Sequence, residues 1–178
     1  NHTIAMNNKY FDGVIQTPNC EEEIDKELKE MALSVLPEVT KLLDTYKISD
    51  AISKVFELAK RCNKYIDETM PWALAKEADK QDRLATVLYN LVESIIIGVT
   101  LLEPYMPETS EKILEQLNAP KRKVNDLVKF GGYKSGSFVT GKPEILFARL
   151  DIEEVLAKVA EMQPEAEPEK DENPGIDL

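Results

Sequence analysis

Apolar residues recur at helical spacing over most of the chain. Ile24, Leu28, Met31, Ala32, Val35, Leu36, Val39, Leu42 and Leu43 advance three or four positions at a time, the repeat that lines one face of an α-helix. Asn19 followed three residues later by Glu22 has the spacing of a capping box, in which side chains satisfy the orphan N–H groups of a helix start. The pattern predicts a long helix over about residues 20–46, bent at Pro37, whose ring removes a backbone donor. Ser49 is placed to cap a second helix with an inward stripe of Ile52, Val55, Phe56, Ala59, Cys62 and Ile66. That helix should end before Met70-Pro71, because a residue preceding proline is driven out of the α region. A third helix is expected from about Gln81 to Leu102, stopping at Glu103-Pro104. Pro107-Glu108 suits the first turn of a fourth, with Ile113, Leu114 and Leu117 inward and Pro120 beyond its end.

From Lys121 to Arg149 the helical period fades. Gly131, Gly132, Gly136, Gly141 and Pro143 precede the short apolar run Ile145-Leu146-Phe147, which predicts turns and extended structure. Asp151 with Glu154 then caps a last helix through Val159, and after Met162 prolines 164, 168 and 174 interrupt a dense acidic run that cannot bury enough surface to offset chain entropy. No internal repeat is present, which excludes a solenoid. The expectation is an all-α fold, an antiparallel helix bundle over residues 1–160 with a short extended Gly-rich segment near 131–149, followed by an acidic, Pro-rich linker or tail over 161–178.

Charge sharpens this division. Of the net charge of −11, residues 161–178 carry seven acidic groups against Lys170, leaving about −5 on the body. A negative body does not draw nucleic acid by bulk attraction, which needs clustered lysine and arginine, so any RNA contact must be local and shape-selective. Cys20 and Cys62 are the only cysteines and there is one histidine, which leaves no ligand set for a structural metal and predicts free thiols. No signal peptide is recognisable. The longest apolar run, Ile95 to Leu102, is too short to span a bilayer and reads as a buried helix, so the protein is expected in the cytoplasm without a membrane partner. Asn1 stands where a start Met would, and Thr3 to Met6 already read as helix, as expected of a piece of a longer protein.

No catalytic site is legible. There is no phosphate loop, no nucleophile paired with a distant histidine and no metal spacing; the stretch from Gly131 to Gly136 follows no strand and opens no helix. The informative segment runs from Asn63 to Lys76 and holds the only tryptophan. At about 100° per residue, Lys60, Lys64 and Asp67 share a stripe, with Asn63 between it and the apolar face. Bases splayed from an RNA loop are held by stacking on aromatic faces and by hydrogen bonds to their edges; Trp72 offers the face, and Lys60, Lys64, Asn63 and Asp67 the polar groups. Spacing alone favours a plainer reading, in which Pro71-Trp72 anchors a short helix to the core.

Resemblance shifts that balance. Asn63-x-Tyr65 followed by Pro71-Trp72-x-Leu74-x-Lys76 resembles the anticodon-domain signature of bacterial methionyl-tRNA synthetases. Thr3 to Phe11 is similar to the helix that enters this domain in the family, Leu102 to Pro107 to a later corner, and Pro143 to Leu150 to a segment near the end of the synthetase body. The resemblance implies that Trp72 and Pro71 contact the CAU anticodon, that Asp67 helps reject other anticodons, and that Asn63 and Tyr65 are chiefly structural. It also implies an arginine at the position of His2, where imidazole lacks the multi-donor fork. The family's His-x-Gly-His and Lys-Met-Ser-Lys-Ser catalytic motifs are missing from the chain, so ATP and any zinc would belong to a catalytic domain elsewhere in the parent. The acidic tail resembles the linker that leads, in many members, to a tRNA-binding OB-fold domain through which the parent dimerises. Two other readings stay open: the corresponding domain of another class I synthetase, and a helical module whose Trp72 meets a protein segment such as the parent catalytic domain.

Overall fold

A computed structural model describes residues 2–141. The expected extended run 145–147, the last helix from Asp151 and the tail over 161–178 lie outside the described residues. Within them the chain forms α1 (His2–Phe11), α2 (Glu23–Asp44), α3 (Ile48–Thr69), the single turn α4 (Pro71–Leu74), α5 (Gln81–Leu102) and α6 (Pro107–Gln116), with 3-10 turns at Ala78–Lys80 and Val124–Val128.

The central element is α5. From Leu84 to Leu102 every residue except Ile95 is buried, so the helix has no solvent face and divides two apolar clusters. On one side α2 and α3 contribute Leu28, Val35, Ile52, Val55 and Leu58; on the other stand Ile4 of α1, Ile113 and Leu114 of α6, and Ile15, Tyr133 and Val139 from the loops. Burying each large aliphatic side chain contributes about 1.5–3 kcal/mol. The helix Ala78–Leu102 is long and apolar enough to cross a membrane by length and composition, contrary to the short run read from the sequence, and 89% of its most apolar window is buried inside the fold. Buried polar residues, Asn90 and Glu93 among them, share this apolar helix.

Cross-helix bonds fix the directions. Asp25 near the start of α2 meets Tyr65 near the end of α3, and Lys54 meets Glu38 at the opposite end of the pair. The α2–α3 hairpin is therefore antiparallel. Asn90 reaches Tyr65 while Gly98 faces Val55 and Leu58, so α5 runs antiparallel to α3.

Three local expectations are corrected. The first concerns the start of α2, which is Glu22-Asp25 rather than Asn19-Glu22: the Glu22 N–H donates to Asp25 Oδ2 at 2.8 Å, whereas the N–H groups of Asn19 and Cys20 donate to Thr86 Oγ1 of α5 at 3.2 and 3.3 Å. A tertiary acceptor holds residues 19 and 20 out of the helix. Helix α3 begins at Ile48, preceded by Lys47, so Ser49 lies in its first turn and caps nothing. Ala59 is exposed, and Leu58 and Tyr65 take the buried stripe instead. Helix α2 continues through Pro37. The Gly-rich segment makes one antiparallel bridge, Phe138 with Val14, and no longer strand among the described residues.

Candidate nucleic-acid interface

The last turn of α3 sets the geometry of the corner that follows. Met70 adopts a left-handed conformation (φ 48°, ψ 64°) and its N–H donates to Ile66 O at 2.9 Å, closing the helix. Pro71 then opens α4, where a missing N–H costs nothing, while the Met70 carbonyl accepts from Ala73 and Leu74 at 2.9 and 3.2 Å. Pro71 is buried. That corrects the expectation that it stands at the surface: the ring seats the turn in the fold, and its neighbour Trp72 is left 46% exposed, beside Met70 at 49%. Tryptophan is on average highly buried, whereas about half of the surface of Trp72 is open to solvent.

Lys60, Asn63, Lys64 and Asp67 lie exposed on α3, leading to this corner. Lys64 is 3.6 Å from Glu68, which also holds Arg61 at 3.0 Å; Lys60, Asn63 and Asp67 make no hydrogen bond or ion pair among the described residues. Asn63 is thus not tied into the bundle as the structural reading expects. Tyr65 is, being fully buried. His2 is exposed on α1, which packs against α5.

Beneath the corner lies a polar cluster that local spacing did not reveal. Asp25 has no exposed surface; its carboxylate receives the Arg83 guanidinium at 2.5 and 3.0 Å, the Glu22 N–H, and the Tyr65 hydroxyl. Asn90 Nδ2 donates to Tyr65 Oη at 3.3 Å. Burial works to raise the Asp25 carboxyl, but hydrogen bonds from Arg83, Tyr65 and the backbone, with the Arg83 charge, hold it below the ordinary aspartate value. Burial and the bond to Asp25 push the Tyr65 hydroxyl far upward, so it remains a neutral donor. The signal available was polar Asn90 and Glu93 within an apolar run, since buried polar groups require partners.

Glu93 nucleates a second cluster. Arg122 forks onto its carboxylate at 2.5 and 2.8 Å, and the N–H groups of Gly132 and Tyr133 donate to it at 3.0 and 2.9 Å. The glycine-rich turn does cradle an anion, but the anion is the protein's own carboxylate. Gly132 lets the Arg122 guanidinium lie close, since a Cβ there would stand 3.0 Å from its central carbon and push the side chain aside by a few tenths of an ångström. Cys20 and Cys62 are free, and burial pushes the Cys62 thiol up to about 11. The described residues hold no group of three or more potential metal ligands.

Residues 25–162 match the profile of a family described as "Anticodon-binding domain of tRNA ligase". Over 162 residues, 91% of the chain, it is 45% identical to a methionine–tRNA ligase of Clostridium perfringens, of which this covers 25%. It is 38% identical to that of Bacillus subtilis over 176 residues, 97% of the chain and 26% of that protein. Among solved structures it is similar to Mycobacterium tuberculosis methionyl-tRNA synthetase in complex with methionyl-adenylate, with a TM-score of 0.74 and 27% identity over 83% of this chain and 29% of that one. The chain spans about a quarter of the length of the curated relatives it matches.

Proposed function

The chain belongs to the family of anticodon-binding domains of tRNA ligases, and from that premise we propose that it reads the CAU anticodon of a methionine-accepting tRNA for a parent methionine–tRNA ligase. The observation that carries this reading is the half-exposed Trp72 on the α3–α4 corner, flanked by the unpaired polar side chains of Lys60, Asn63 and Asp67. In this reading a splayed base stacks on Trp72, Lys60 and Asn63 supply donors, and Lys64 adds charge near the backbone. Pro71 acts by seating the turn. The Asp67 carboxylate disfavours bases that present acceptors to it, and His2 offers a single donor from α1. The names of the relatives favour methionine over other class I synthetases.

Residues 1–160 form the recognition domain and 161–178 a linker. Aminoacylation with ATP, any zinc, and dimerisation through an OB-fold domain belong to the remainder of the parent, in the cytoplasm. The test is a gel-shift titration of the chain with stem-loops carrying CAU or a scrambled anticodon. Trp72→Ala should weaken CAU binding by about 1–3 kcal/mol, the worth of one base–aromatic stack. Equal affinity for both stem-loops, or wild-type affinity in the variant, overturns the reading, and the first result would favour a protein partner for Trp72.

A further inference from the structure

The Asp25 cluster makes no use of an RNA-facing atom, yet it holds both ends of the segment that carries Trp72. At the near end, Thr69 Oγ1 donates to Tyr65 O at 2.7 Å and Met70 N–H to Ile66 O at 2.9 Å, so the last turn of α3 hangs on residues 65 and 66. The Tyr65 hydroxyl, bound to Asp25 and Asn90, fixes the rotation of that turn against α2 and α5. At the far end, Arg83 in the first turn of α5 forks onto the same Asp25 carboxylate. Met70, α4 and the 3-10 turn Ala78–Lys80 therefore lie between two anchors that share one buried anion, with buried Pro71 and part-buried Leu74 seating α4 on the core between them.

We propose that the Tyr65–Asp25–Arg83–Asn90 network is a positioning device for Trp72, presenting its ring in one orientation before RNA arrives. The inference rests on the anticodon reading above. Ordering a loop on binding costs conformational entropy, and a site ordered in advance avoids that cost. These four residues act through the corner and touch no nucleotide.

The test uses Tyr65→Phe, which removes one hydroxyl and keeps the ring in the core. Glu93→Gln, which damages the other buried carboxylate cluster, is the control for loss of stability alone. Because Trp72 is the only tryptophan, its acrylamide quenching reports this corner and nothing else, and binding of labelled CAU and scrambled stem-loops is followed by gel shift. Tyr65→Phe, which removes both bonds of the hydroxyl, to Asp25 and from Asn90, should increase quenching and weaken CAU binding about five- to tenfold, roughly the net worth of a buried hydrogen bond, while Glu93→Gln leaves quenching and affinity at wild-type values below its melting temperature. If wild type discriminates CAU but Tyr65→Phe leaves quenching and affinity unchanged, the positioning inference fails and the anticodon reading stands. If both variants weaken binding in proportion to lost stability, it fails as well. If wild type does not discriminate CAU, the anticodon reading itself has failed and so has the RNA role of the network; quenching then decides whether the network holds the ring.

Discussion

Replacing Glu93 by Gln should destabilise this protein more than any surface substitution. The carboxylate is fully buried and accepts four bonds, two from Arg122 and two from the N–H groups of Gly132 and Tyr133. Glutamine keeps the volume and one carbonyl oxygen. Its amide nitrogen must then face one backbone N–H and one guanidinium N–H, donor against donor, and the Arg122 side chain, only 10% exposed, is left without its counter-charge. A hydrogen bond to a charged group contributes about 1.5–3 kcal/mol, and breaking a buried ion pair from one side costs about 3–5 kcal/mol. For a chain of this size, at roughly 2–4 °C per kcal/mol, Tm should fall by about 6–20 °C. Calorimetry of the purified chain at neutral pH measures it. A drop under about 2 °C would refute the claim that the carboxylate is desolvated and paired.

Tyr46 sits 88% exposed at φ 58°, just past the end of α2, where its N–H and that of Lys47 close the helix onto Leu43 and Leu42. Glycine adopts that conformation without strain, so Tyr46→Gly should stabilise by about 0.5–1 kcal/mol in a urea melt; destabilisation would mean the ring has a packing role. The folded-state pKa of Asp25 is lowered, so the unfolded chain binds the proton more readily. The stability it contributes should be complete above about pH 4 and disappear as pH falls below that; urea midpoints that decline equally steeply in Asp25→Asn would contradict this. With Cys62 buried and its pKa near 11, only one thiol should react with a thiol reagent at mildly alkaline pH before unfolding, and two afterwards.

What the sequence made legible was whatever local periodicity encodes. The bounds of α5 and the start of α6 follow from an apolar run closed by Pro104 and reopened by Pro107. Asn19 has good capping spacing, but its N–H found Thr86, 67 positions away, and the helix start moved to Glu22. Both buried carboxylates were hidden for the same reason. Asp25 lies 58 positions from Arg83, and Glu93 is 29 from Arg122 and 39 from Gly132. No spacing rule links such partners, and Asp25 reads as one more polar residue on an amphipathic helix. The exposure of Trp72 was similarly illegible: a Pro-Trp pair packs inward or outward according to how the preceding turn is aimed, and here the left-handed Met70 and the buried Pro71 aim it outward.

The charge of the molecule bears on how such a corner can read RNA. With about −5 on the body, counterion release offers little driving force, and the cations on α3 are partly committed, Lys64 to Glu68 and Arg61 to Glu68 and Glu27. In the proposed reading, selectivity comes from short-range terms: the face of Trp72, the unpaired polar groups of Asn63 and Asp67, and repulsion between Asp67 and a base that brings another acceptor. Short-range terms reward a fixed geometry, because stacking and hydrogen bonding fall away within a fraction of the width of a base. A buried anion that binds both flanks of the Trp72 segment is the kind of support such a site requires. Its placement at the end of the bundle leaves the apolar length of α5 to carry the stability of the fold.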